Sequence, residues 1–196
     1  MDVRIEKTEQ GIKNAFIELR SKKPLEKITV RELCEIARIN KSTFYSHYKD
    51  IYDLSDTLEG EVVASITNSV SHPEYIVDNL EAFSRELLMA YLSQTSLTTI
   101  LFSGNQRSHF ADRIEESIKK LIYEKYPEFE TDEIMNITIS FCIQGGYHAF
   151  QRNREVDNDM LVTAIGKMTA LMSQCIESRM STKQEWQNLR NDYKRK

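Results

Sequence analysis

The scarcity of glycine and proline limits what this chain can fold into more than any other feature. Only six glycines and three prolines occur among its 196 residues. A sandwich or barrel of many short strands needs a turn signal roughly every 8 to 12 residues, and this chain has too few of them. The sequence therefore predicts a small number of long secondary-structure elements.

Apolar residues recur with the period of an α-helix along most of the chain. In the first segment Ile5, Ile12 and Phe16 lie on one helical face. Thr29, with Glu32 three positions later, forms a capping box that marks a helix start. No segment shows the alternation of a β-strand, so we predict an all-α fold of about nine helices. The predicted helices span about 4–21, 29–37, 41–48, 50–70, 74–93, 96–102, 106–125, 132–153 and 157–180.

Composition and cysteine spacing narrow the class of protein. With 40% apolar and 29% charged residues, the chain has the composition of a soluble globular protein. Cys34, Cys142 and Cys175 lie far apart, which predicts neither a disulfide framework nor a thiolate zinc site. The uncharged segments 87–106 and 134–151 carry too many polar residues for membrane spans, and the N-terminus lacks the apolar run of a secretory signal. We expect a cytoplasmic protein with no membrane partner.

Two short predicted helices, at 29–37 and 41–48, are joined by a three-residue turn, as in a helix-turn-helix. In that motif the second helix enters the major groove of DNA. Phe44 and Tyr48, four positions apart, are expected to point inward. The other side chains of this helix and its end include cations and hydroxyls but no carboxylate, which suits a phosphate surface. They belong to Lys41, Ser42, Thr43, Tyr45, Ser46, His47 and Lys49.

The charge of the chain is unevenly divided. Residues 1–52 contain 11 Lys and Arg against 8 Asp and Glu, a net charge of +3, while residues 53–196 contain 15 against 22, a net charge of −7. A positive excess at one end of an acidic protein is consistent with a DNA-binding surface there. The alternative is that the helix at 41–48 is simply a solvated polar helix. A net charge of +3 does not by itself decide between this alternative and a DNA-binding helix.

The stretch 28–50, with the sequence ITVRELCEIARINKSTFYSHYKD, closely resembles the DNA-binding signature of the tetracycline-repressor (TetR) family of bacterial transcription regulators. Its most specific part is the Thr-Phe-Tyr triplet at 43–45, followed by Tyr48 and Lys49. The resemblance covers about residues 4–66 and does not extend to the C-terminal portion. One departure is Arg38, which occupies a turn position where the family commonly has glycine. We interpret Arg38 as a solvated turn residue, with a phosphate contact as the alternative.

The resemblance implies contacts between particular residues and double-stranded DNA. Thr29 and Arg31 match positions that touch the DNA backbone or an outer base. Lys41, Ser42 and Thr43 match the N-terminus of the recognition helix, which contacts both bases and the DNA backbone, and a lysine there can donate to guanine O6 and N7. Phosphate-side positions are matched by Tyr45, His47 and Lys49, and Ser46 completes the predicted DNA-binding set.

The resemblance also implies two domains. Residues 1–52 would form a three-helix helix-turn-helix DNA-binding domain, and residues 53–196 a helical effector-binding and dimerisation domain. The segments 87–106 and 134–151 mix apolar with uncharged polar side chains, as expected around a small, mainly apolar ligand. Each candidate lining residue also suits an ordinary core. The candidates are Tyr91, Phe102, Phe110, Met135, Tyr147, His148 and Phe150.

Gly145 and Gly146 lie within a predicted helix, where each costs roughly 1 kcal/mol relative to alanine. We interpret the pair as a close approach of helices in a homodimer, whose last two long helices form a four-helix bundle across a two-fold axis. The alternative is a tolerated irregularity in a monomer core. The predicted dimer contacts are Gly145, Gly146, Ile165, Met168 and Met172.

Motifs of common enzymes are missing from the sequence. It contains no phosphate loop, no G-x-S-x-G elbow and no H-E-x-x-H zinc helix, so we expect no catalytic, metal or cofactor site. We predict a homodimeric transcription regulator that binds a near-palindromic operator. It is expected to be a repressor released by an unknown small-molecule effector, with activation as an alternative. A helical module that binds small molecules or proteins without DNA is the second hypothesis, which the intact face at 41–49 disfavours.

Overall fold

The computed structural model describes residues 3–72, 75–104 and 107–177. Within these ranges the fold is all-α without a strand, and nine helices are seven residues or longer, which confirms the predicted fold class. The helices are α1 (Val3–Arg20), α2 (Val30–Ala37), α3 (Lys41–His47), α4 (Ile51–Asn68), the single turn α5 (Tyr75–Asp78), α6 (Leu80–Ser93), α7 (Thr95–Leu101), α8 (Arg107–Lys125), α9 (Glu133–Arg152) and α10 (Asn158–Glu177).

Capping side chains set several helix starts. The predicted capping box is confirmed, since the Thr29 hydroxyl accepts from the Glu32 backbone N–H and the Glu32 carboxylate accepts from the Thr29 N–H. Asp50 caps α4 by accepting from a first-turn amide at 2.8 Å. Asp132 and Asp157 do the same for α9 and α10. These carboxylates satisfy amides that have no partner within the helix.

The predicted single helix at 74–93 is wrong. The structure instead has α5 and α6 with a break at Asn79, whose side-chain oxygen accepts from the Ala82 N–H at 3.1 Å. Asparagine competes for backbone groups in this way and therefore favours caps over helix interiors. The last helix, predicted to reach residue 180, is described to Glu177, and the predicted tail 181–196 lies outside the described residues.

Contacts divide the chain into two compact units. The first comprises the described residues of 1–68 and 91–113, so it combines α1 to α4 with α7 and the start of α8. Its fully buried side chains include Phe16, Leu33, Phe44 and Leu54. The compact unit thus extends beyond the sequence-based division at residue 52, because α7 packs against both α1 and α4.

A buried arginine ties two helices of the first unit together. Arg20, at the end of α1, is only 5% exposed. Its Nη2 donates to the backbone oxygens of Leu101 at 3.2 Å and Ser103 at 3.3 Å. The guanidinium therefore binds carbonyls at the C-terminal end of α7, where the helix dipole favours a cation.

The second unit comprises the described residues of 69–90 and 114–177. Its core is formed by buried aliphatic side chains of α8 to α10, including Ile118, Ile122, Ile139 and Val162. The antiparallel helices α9 and α10 pack against each other across a short loop. No helix in the described ranges is both long and apolar enough to cross a membrane.

Candidate nucleic-acid interface

The turn between α2 and α3 places one residue in the left-handed backbone region. Arg38 lies in the left-handed region, with φ 55° and ψ 43°. Its N–H donates to the Cys34 oxygen, and the N–H of Ile39 donates to the same oxygen at 3.0 Å. Residues other than glycine rarely adopt this conformation. The turn accepts Arg38 with the backbone conformation intact, and the side chain is exposed.

Two inward aromatic side chains hold α3 in place. Phe44 is completely buried and Tyr48 is nearly so, which confirms their predicted orientation. Their ring centroids lie 6.0 Å apart. Burial raises the pKa of the Tyr48 phenol to about 12, so it stays neutral at physiological pH. Because both anchors face the core, the opposite faces of α3 remain at the surface.

Tyr45 stands on the outer side of the same helix. Its ring meets that of Phe44 edge to face, with centroids 5.4 Å apart, and its side chain is 54% exposed. Edge-to-face pairing is a favoured aromatic arrangement. The buried Phe44 ring therefore orients an exposed phenol that is suited to a phosphate contact.

Asn40 caps the N-terminus of α3. Its Oδ1 accepts from the Thr43 backbone N–H at 2.8 Å, from the Thr43 hydroxyl at 2.8 Å and from the Ser42 hydroxyl at 2.7 Å. The sequence pattern places Asn40 in the three-residue turn at 38–40 and predicts no cap there. The missed signal was the preference for asparagine immediately before a helix. One side chain thus controls both hydroxyls at the predicted base-contacting end.

The predicted DNA-binding residues all lie at the surface of the first unit. Arg31 is paired with Glu35 at 3.0 Å, and the Thr29 hydroxyl donates to Glu32 at 2.8 Å within the capping box. These two groups therefore already have intramolecular partners. The residues that are exposed are Thr29, Arg31, Lys41, Ser42, Tyr45, Ser46 and Lys49, while Thr43 and His47 are half-buried.

Three of the predicted ligand-lining residues meet in the first unit. Tyr91, Phe102 and Phe110 are all buried. The Phe110 centroid lies 5.4 Å from that of Tyr91 and 4.9 Å from that of Phe102, so the three rings form one aromatic cluster. The other four belong to the second unit. There Met135 and Phe150 are buried, Tyr147 is half-buried and His148 is exposed.

The two adjacent glycines have different surroundings. A Cβ on Gly146 would lie 3.4 Å from Cγ2 of Ile165, so Gly146 allows α9 and α10 of the same chain to pack closely. Gly145 is exposed and faces open space. Among the other predicted dimer residues, Ile165 is buried, Met168 is exposed and Met172 is half-buried.

An apolar stripe lies exposed along α9 and α10. On α9 it contains Ile137 and Phe141, one helical turn apart, and Phe141 is 63% exposed. On α10 it contains Met160, Met168 and Leu171. Large exposed apolar patches mark interaction sites, and these five side chains are candidates for one.

Neither a scan of protein-family models nor a comparison with curated proteins gives a match to this chain. The functional argument therefore depends on α2, the turn and α3. Together they present a cation and two oriented hydroxyls at the N-terminus of α3, and an exposed phenol further along it. Such groups can hydrogen-bond to base edges and to phosphate oxygens.

Proposed function

We propose that this chain is a sequence-specific, DNA-binding transcription regulator of the TetR type, in which α3 is the recognition helix. The observation that carries the proposal is the geometry of α2, the left-handed turn and α3. Phe44 and Tyr48 fix α3 from inside, and the exposed side chains from Lys41 to Lys49 include no carboxylate. A helix held in this way can lie in the major groove with its N-terminal residues against the bases.

The regulator acts as a homodimer. The exposed stripe that contains Phe141 and Met168 supports this, since association through α9 and α10 would bury it in a four-helix bundle. A two-fold axis would place two copies of α3 in major grooves about one helical turn apart. The operator is therefore nearly palindromic, and the site of action is the cytoplasm of the cell whose DNA it binds.

A small, mainly apolar effector controls DNA binding. The buried rings of Tyr91, Phe102 and Phe110 support an apolar site, and they belong to the same compact unit as α3. Arg20 joins α1 to the end of α7, next to Phe102. A ligand that rearranges these rings would bias the unit between conformations with different operator affinity. Repression released by the ligand is the arrangement that the TetR resemblance favours.

Selection of bound DNA from a random pool tests the proposal. The full-length protein should enrich a near-palindromic sequence with two half-sites about one helical turn apart. Lys41→Ala should relax the base preference within each half-site. Lys120→Ala, which changes an exposed lysine of the second unit, serves as the control and should leave the consensus unchanged. If no sequence is enriched above the starting pool, sequence-specific DNA recognition is refuted.

The second candidate function is a helical dimer that binds small molecules or proteins without DNA. The exposed apolar stripe on α9 and α10 suits this function equally well. It does not account for the oriented surface of α3, which lies in the other compact unit. A dimer in sedimentation that enriches no DNA sequence would favour this second function.

A further inference from the structure

The outer face of α9 carries two apolar side chains that no other part of the described structure covers. Ile137 is 66% exposed and Phe141 is 63% exposed. They lie one helical turn apart, on the side of the helix opposite the buried Met135 and Ile139. Removing apolar surface from water is favourable, so this face gains from a partner that covers it.

The turn between α8 and α9 places negative charge next to this face. Residues 124–133, called the acidic turn below, contain one lysine against five Asp and Glu, a net charge of −4. Glu124, Glu128 and Glu130 are exposed and form no ion pair with any residue in the described ranges. Complementary potentials favour association, so a partner that covers this end of α9 should carry positive charge.

The described end of α10 lies level with the acidic turn. Gly146 of α9 and Ile165 of α10 are side by side, since a Cβ on Gly146 would lie 3.4 Å from Cγ2 of Ile165. From there α9 extends thirteen residues back to Glu133, and the antiparallel α10 extends twelve residues forward to Glu177. At 1.5 Å per residue both distances are about 18–20 Å. The chain therefore continues beyond Glu177 from the same level at which α9 begins.

The sequence that follows α10 complements this surface. Segment 178–196, which lies outside the described residues, contains six Lys and Arg against two Asp and Glu, a net charge of +4. It also contains Trp186, Leu189 and Tyr193. Nineteen residues span roughly 60 Å when extended and about 28 Å when helical. The segment is therefore long enough to return along α9 past both exposed apolar side chains.

We propose that segment 178–196 docks on the outer face of α9 in its own chain, with its cations against the acidic turn and Trp186 against Ile137 and Phe141. This face is part of the stripe that the proposed homodimer buries, so the docked segment competes with the second copy. The segment is thus an intramolecular inhibitor of dimer formation. The competition rests on the proposed function, because it presupposes the homodimer, whereas the docking does not.

The size of the competition follows from the fraction of time that the segment is docked. A copy of the chain associates only when its segment is undocked, and both copies must meet this condition together. If the segment is docked about three quarters of the time, about one quarter of each copy is competent, and the dimer dissociation constant rises about sixteenfold. Releasing the segment should therefore tighten the dimer by roughly tenfold.

Sedimentation of the full-length protein over a range of concentrations measures the dimer dissociation constant. Lys194→Glu combined with Arg195→Glu, the segment variant, should lower this constant by roughly tenfold. Addition of Glu128→Lys and Glu130→Lys reverses the charges of both partners and should raise the constant again. Lys120→Glu, which reverses an exposed lysine of α8, is the control and should not lower it. A constant in the segment variant that is equal to or above that of the wild type would overturn the competition.

Fluorescence provides a separate test of the docking, because Trp186 is the single tryptophan of the chain. In dilute wild-type protein the docked indole should emit at a shorter wavelength than in the segment variant. Phe141→Glu should remove this difference, since it places a charge in the apolar contact. Higher salt should shift the wild-type emission to longer wavelength, because screening weakens the attraction to the acidic turn. Concentrating the protein should do the same, because dimer formation displaces the segment.

Equal emission from dilute wild type and segment variant would overturn the docking. Emission that moves to shorter wavelength as the protein is concentrated would show that the segment binds the second copy, which would also overturn the inference. A protein that stays monomeric while the two emissions differ would overturn the proposed dimer and the competition but leave the docking in place. Failure to enrich an operator sequence concerns DNA recognition alone. Circular dichroism verifies that each variant keeps its helix content.

Discussion

The salt dependence of operator binding offers a quantitative test of the phosphate contact assigned to Lys49. Its side chain is exposed, just beyond the C-terminus of α3. The logarithm of the binding constant falls with the logarithm of salt concentration by about 0.9 for each phosphate neutralised. A dimer carries two copies, so Lys49→Ala should make the slope shallower by about 1.8. Between 50 and 200 mM salt the variant should therefore lose about tenfold less affinity than the wild type.

Fluorescence anisotropy with a labelled operator at several salt concentrations measures these slopes. Lys49→Arg keeps the charge and should keep the wild-type slope. Lys120→Ala removes a lysine of the second unit and should also leave the slope unchanged. A wild-type slope in Lys49→Ala would show that Lys49 makes no phosphate contact and would refute the charge argument. A flat salt dependence in the wild type would refute phosphate binding by α3 as a whole.

Three further predictions concern stability and assembly. Phe44→Ala should lower the free energy of unfolding by about 3–5 kcal/mol, because Phe44 is fully buried. Urea denaturation measures this free energy. A smaller loss in Phe44→Ala than in Phe44→Leu would contradict the prediction. Burial raises the pKa of the Glu59 carboxyl, so the contribution of this group to folding stability should be lost as pH rises from the ordinary carboxyl pKa through the raised one. The stability difference between wild type and Glu59→Gln, from thermal melts at several pH values, should fall over that range, and a difference independent of pH would contradict the assignment. Phe141→Glu should shift the protein from dimer to monomer in sedimentation at micromolar concentration without loss of helix content, and a persistent dimer would exclude the exposed stripe as the interface.

Local signals in the sequence predicted the helices well. The capping box at Thr29 and the inward spacing of Phe44 and Tyr48 were both confirmed. Each of these depends on residues within one or two helical turns of each other. The sequence alone contains that information, because cap formation and helical periodicity are local properties.

Features that depend on side-chain direction or on distant contacts were not predictable. The apolar period continues through Asn79, so the break between α5 and α6 was missed. Nothing in the pattern around Arg20 indicates that its guanidinium is buried against carbonyls about eighty residues away. The hydroxyl directions at Ser42 and Thr43 likewise required the position of Asn40 Oδ1. The sequence predicted which residue types occur in the candidate site. It did not predict which of them donate and which accept hydrogen bonds.

The attachment of α7 to α1 and α4 has a consequence for protein engineering. A chimeric regulator made by grafting residues 1–52 or 1–68 onto another sensor would leave behind the partners of Arg20 at Leu101 and Ser103. Its guanidinium and the apolar surfaces of α1 and α4 that pack against α7 would then be uncovered. The smallest transferable module that carries the proposed recognition helix therefore consists of two separate stretches of chain, with residues 91–113 as the second.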